Sequence, residues 1–123
     1  MSTFISLSSR LTIAAGGIAG AVGVMAAASA SHMGESRNLA AIAAIGLAHG
    51  PTLLALGLAA PATRLFRIAA ALLALGTAVF AADLGMREWQ GTSLFPGAAP
   101  LGGVGMIGGW ALVILAGLLT REK

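Results

Sequence analysis

The chain contains no cysteine, which excludes disulfides, thiolate chemistry and cysteine-ligated clusters. Charge is nearly as scarce, with only 9% of residues charged against 58% hydrophobic. A soluble domain carries about a quarter charged residues, because it needs a polar skin. A chain this poor in charge has no such skin, so the solvent it is built for is lipid. Its seven basic and four acidic residues form no dense cluster, which argues against a nucleic-acid surface. Aromatic residues are also few, at 5%.

What remains is apolar and small. Leu11 to Ser31 runs for 21 residues without a charge. Asn38 to Thr63 is a second long run, broken by His49 and Pro51. Ile68 to Ala82 is a third, extended as a helix through Asp83 to about Arg87, and Leu101 to Thr120 is the fourth. About 20 helical residues cross ~30 Å of hydrocarbon. The third run reaches that length when Arg64, Arg67 and Arg87 snorkel from its ends. The reading is one all-α transmembrane domain over residues 1–123, with helices at about 8–31, 38–60, 65–87 and 100–120. The first run resembles a secretory signal, with Arg10 before it and Ala28-Ser29-Ala30 at its end. It is longer than a usual signal core, so it is read as a retained helix.

Connections at about 32–38, 61–66 and 88–100 are short, and short connections make neighbouring helices antiparallel. The expected architecture is therefore an up-down-up-down four-helix bundle. Arg10, Arg64, Arg67, Arg121 and Lys123 fall on one side, and only Arg37 and Arg87 on the other. The positive-inside rule then predicts a multi-pass protein with both termini in the cytoplasm. In the third connection, Trp89 and Phe95 suit an outer membrane interface, and Pro100 suits the start of the fourth helix.

Four polar residues stand out: His49, His32, Asp83 and Arg87. His49 lies roughly 16 Å along helix two, near the bilayer midplane. Two readings compete there: a neutral imidazole bonded to a neighbouring helix, which is favoured, and a proton- or ligand-handling group. Pro51 adds weight to the first, since it removes the normal donor to the Leu47 carbonyl. Asp83 and Arg87, spaced i and i+4, are expected to pair. With Glu88 they fall at the level of His32, Glu35 and Arg37 in the first loop. The expectation is an interfacial charge cluster in which Asp83 is held by Arg87, Arg37 or His32 and ties the first loop to the third. His32 and His49 differ in depth, so they make no haem or metal pair. No midplane carboxylate pair exists either, so no catalytic residue, cofactor or metal site is assigned.

Glycine gives the clearest packing signal. Gly16 and Gly20 are spaced as a small-xxx-small pair, and so are Gly105 and Gly109, with Gly102 one turn before. Such residues let membrane helices approach closely. Trp110, beside Gly109, is assigned to packing.

Gly76-Thr77-Ala78-Val79-Phe80-Ala81-Ala82-Asp83-Leu84, Leu94-Phe95-Pro96, Pro100-Leu101-Gly102-Gly103 and Gly109-Trp110 resemble the small four-helix inner-membrane proteins of the YgdD type. That group is related to mitochondrial transmembrane protein 256 and is a domain of unknown function. Ala27 to His32 and His49 match its first two helices more weakly, and the tyrosine that precedes the second-helix histidine has no counterpart. The resemblance implies a fold and no reaction.

Function is therefore expected to be non-catalytic: an accessory or structural subunit of a larger, respiratory-type membrane complex, with the bilayer and other membrane subunits as partners and no nucleic acid. The alternative is a small transporter or pore component with His49 as its proton-linked group.

Overall fold

The computed structural model describes residues 6–34, 36–59 and 64–120. Four helices make up this part: α1 (Leu7–His32), α2 (Arg37–Leu58), α3 (Arg64–Gln90) and α4 (Ala98–Leu119). All four are long and apolar enough to cross a membrane. Glu35, most of the second connection (residues 60–63), Arg121 and Lys123 lie outside the described residues.

Local chemistry explains the helix boundaries. The hydroxyls of Ser6 and Ser36 accept the Ser9 and Leu39 backbone N–H groups at 3.1 Å each, capping α1 and α2. Helix α3 continues to Gln90, a turn beyond the expected end at Arg87. Gly97, with φ of 82°, adopts the left-handed conformation that lets the chain enter α4. That helix begins at Ala98 and not at Pro100. Proline still falls within the first turn, where a missing N–H costs no helical bond. Pro51 is accommodated inside α2 without ending it.

Each helix runs antiparallel to the one before. Gly16 meets Gly50, and Gly23 meets Gly46, so rising numbers in α1 oppose falling numbers in α2. Gly76 meets Gly102 and Leu73 meets Gly109 in the same opposed sense between α3 and α4. Helix α2 joins the two hairpins by packing on α3, while α1 also approaches α3. Among the described residues no Cα of α4 comes within 8 Å of α1 or α2, so α4 is seated on α3 alone at the backbone level. The end where α1 and α3 begin is called the near end below. The far end holds the α1–α2 and α3–α4 connections.

The packing seams differ from the expected small-xxx-small pairs. In α1 the buried residues are Ser9, Gly16, Ala19, Gly23 and Ala26. In α4 they are Ala98, Gly102, Met106, Gly109 and Ala116. The glycines Gly16 and Gly23, and Gly102 and Gly109, recur at seven-residue spacing, which keeps one seam turned toward an antiparallel partner. A methyl on Gly16 would lie 2.8 Å from the Gly50 carbonyl oxygen, and one on Gly102 would lie 2.7 Å from that of Gly76. A methyl on Gly109 would meet Leu73 at 2.7 Å. Gly20 and Gly105 play lesser parts. A methyl on Gly20 would meet nothing within 4 Å, although the Gly20 backbone itself faces Gly50, and one on Gly105 would make only ordinary contact with Gly76 at 3.5 Å. The partners Gly23, Gly46, Gly50, Gly57 and Gly76 complete the seams.

Candidate functional site

Half way along the helices, three polar side chains from three helices meet. His49 on α2 is buried, as is Thr77 on α3, whereas Trp110 on α4 is 40% exposed. His49 Nδ1 lies 2.8 Å from Thr77 Oγ1, and Trp110 Nε1 donates to His49 Nε2 at 3.0 Å. The indole and imidazole ring centroids are 5.8 Å apart, with the planes tilted at 47°.

The donor inventory determines the protonation state this geometry can hold. An indole N–H only donates, so His49 Nε2 must carry its lone pair toward Trp110. In a neutral imidazole the proton then sits on Nδ1 and is donated to the Thr77 hydroxyl oxygen. An imidazolium would present N–H to N–H at Trp110 and lose that bond. Both ring nitrogens are thus engaged in the neutral ring, and neither offers a lone pair to a metal ion or to an incoming proton without breaking the triad. Trp110, assigned from sequence to packing, is also the hydrogen-bond donor that joins α4 to α2 across a distance their backbones do not close. Thr77 is not among the polar residues that the sequence singles out. The readable signal for both is depth: His49, Thr77 and Trp110 each stand near the middle of their own helix.

A second polar group occupies the far end. Asp83 is fully buried. Its Oδ2 accepts from Arg87 Nε at 2.8 Å, the i, i+4 pair that the spacing implied. Its Oδ1 accepts from the Leu94 backbone N–H at 2.7 Å, so the carboxylate fastens the α3–α4 connection to the last turns of α3. The link to the first loop was expected through Asp83 but runs through Glu88. Glu88 Oε1 accepts from the Ser36 hydroxyl at 2.6 Å and from Asn38 Nδ2 at 3.3 Å. This brings a carboxylate to the N-terminus of α2, where the helix dipole favours negative charge. Ser36 serves twice, since its oxygen also caps α2. His32 and Arg37, by contrast, are exposed and contribute no bond to Asp83. Trp89, expected in the connection, lies in the last turn of α3, 61% exposed and over Gly85, while Phe95 in the connection is 40% exposed.

Among the described residues no buried polar side-chain atom lacks a hydrogen-bond partner, and no group of three His, Asp or Glu side chains is placed to hold a metal ion. The His49 and Glu88 bonds join helices, and the Asp83 bonds fasten the α3–α4 connection to α3. No family model, curated protein or solved structure matches the chain.

Proposed function

We propose that this is a multi-pass membrane protein without catalytic chemistry of its own, which acts by packing as an accessory or structural subunit against a larger membrane complex. One observation carries the reading: His49, the ionisable side chain at mid-span, has both ring nitrogens bonded to Thr77 and Trp110 within the same chain. A proton carrier needs an imidazole that gains and loses a proton along a polar path. Here protonation costs the Trp110 bond, and the surroundings are apolar. The exterior offers large aliphatic side chains such as Val104, Ile107 and Leu118. Four apolar helices support membrane residence. Cytoplasmic termini are supported by the distribution of the basic residues, and an inner-membrane location by the likeness to the YgdD type. Likeness to the YgdD type belongs to the same proposal.

Two measurements test it. Extraction in a gentle detergent, followed by native electrophoresis and mass spectrometry of co-migrating chains, should place the protein in a larger assembly of defined composition. Migration as a lone chain at every detergent concentration counts against the subunit role. Reconstituted alone in vesicles under a pH gradient, the protein should add no proton flux. A flux abolished by His49→Gln would instead favour the transporter.

A further inference from the structure

A groove separates α1 from α3, which run parallel. At the near end it opens into a cleft of about 550 Å³ whose walls include Leu11 and Ala15 of α1 and Ala71 and Leu75 of α3. Arg67 also lines it, as do the hydroxyl-bearing Ser8 and Thr12. Ala74 lines this cleft and also a second one of about 410 Å³ that continues toward Trp89. The near-end cleft spans Leu7 to Ala15 on one wall and Arg67 to Leu75 on the other. Eight residues of helix rise about 12 Å, close to one leaflet of a ~30 Å hydrocarbon core.

Charge identifies the occupant. Arg64 and Arg67 are exposed and one helical turn apart, so their guanidinium groups share a face. Neither has an ion-pair partner among the described residues, where the acidic side chains are Asp83 and Glu88, both at the far end. A mostly apolar slot one leaflet deep, lined at one end by Arg67 with Arg64 one helical turn before it on α3, matches an amphiphile with an anionic head. A second copy of the chain fits poorly. A two-fold axis along the membrane normal would bring Arg64 and Arg67 of both copies to the same depth, cation facing cation.

We propose that the α1/α3 groove seats an acyl chain of a phospholipid whose net-negative headgroup is held by Arg64 and Arg67. This rests on the membrane-spanning reading and is independent of any partner subunit. Arginine supplies planar, paired donors that match phosphate oxygens, and its weak hydration suits an interface. The lipid would fill the gap between the hairpins where α1 and α3 stand apart.

The test uses the full chain in non-ionic detergent, supplied with equal phosphatidylglycerol and phosphatidylcholine, and native mass spectrometry of the lipids retained. Wild type should retain phosphatidylglycerol in preference. R64Q/R67Q should reduce that preference by about 25-fold, at about fivefold for each basic residue near an anionic surface. Arg37→Gln, at the far end, should leave it unchanged. Ala71→Phe, on the exposed wall of the cleft, should expel both lipids while the thermal melt stays within a few degrees of wild type. Equal retention of the two lipids by wild type, or an unchanged preference in R64Q/R67Q, overturns the proposal. So does displacement of the lipid by inorganic phosphate, which would mean a site for free anion. Because the chain has no cysteine, Ala71→Cys gives a single thiol, and efficient disulfide dimerisation in membranes would overturn the proposal by assigning the groove to a second copy. Failure of the underlying membrane reading is distinguishable, since the chain would then stay in solution without detergent.

Discussion

Within each hairpin, backbone meets backbone; between the hairpins, side chain meets side chain. The α1/α2 and α3/α4 seams place glycine against carbonyl oxygen and Cα, as at Gly16 with Gly50 and Gly76 with Gly102. The junction between hairpins has apolar contacts, including Leu53, Ala70 and Leu73. It is also pinned by polar bridges, His49 to Thr77 and Glu88 to Ser36. The difference teaches how such a chain divides two tasks. Helices of apolar residues gain little from hiding from lipid, so close van der Waals approach has to hold them, and that requires small residues. Close approach is indifferent to partner, however. Hydrogen bonds with defined donors and acceptors supply the register and orientation that a smooth glycine seam leaves open.

The comparison breaks most visibly at the seams. Gly76→Ala would put a methyl 2.7 Å from the Gly102 carbonyl oxygen and 2.8 Å from the Met106 nitrogen, both backbone atoms. Overpacking of this kind is expected to destabilise by about 1–3 kcal/mol. Gly103→Ala, whose methyl meets nothing within 4 Å, should instead be neutral or stabilising by up to about 1 kcal/mol. Thermal or denaturant unfolding in detergent checks the pair. Equal effects at the two positions would mean that the helices do not approach as closely as described.

The central bridge comes next. His49→Leu strands the Trp110 N–H and the Thr77 hydroxyl, at roughly 1–3 kcal/mol. His49→Gln, which offers both a donor and an acceptor, should recover most of that loss. A companion readout is the Trp110 fluorescence maximum, expected to move with Leu and less with Gln. If Leu is tolerated as well as Gln, the triad does not join the hairpins.

At the far end the effects shrink. Asp83→Asn keeps an acceptor for the Leu94 N–H but gives up the ionic bond with Arg87, whose side chain is 46% exposed. The expected loss is small, because solvent screens the half-exposed Arg87 end of the pair. Limited proteolysis within residues 91–97 should rise in the variant, and an unchanged cleavage rate would remove Asp83 as the fastener of that connection. Glu88→Gln is the smallest case. It retains an oxygen for Ser36 and loses only the charge at the α2 N-terminus, about 0.3–1 kcal/mol. High salt should shrink the difference from wild type, and a gap that persists in salt would point to the hydrogen bond in place of the charge.

The amino-acid sequence alone determined the four helices and their order, because an uncharged run of this length closes its own backbone hydrogen bonds wherever it lies. The Asp83–Arg87 pair was equally legible, since residues i and i+4 face each other on any helix. Which glycines touch was not. Gly16 and Gly20 share a face locally and both meet Gly50, Gly16 through its methyl position and Gly20 through its backbone, while the Gly23–Gly46 approach completes the seam. That depends on how two helices cross, a property of neither helix by itself. The meeting of His49, Thr77 and Trp110, and the reach of Glu88 to Ser36, belong to the same class. Tertiary structure decided them because a hydrogen bond between helices needs matching depth and matching rotation at once, and a single sequence states only the first.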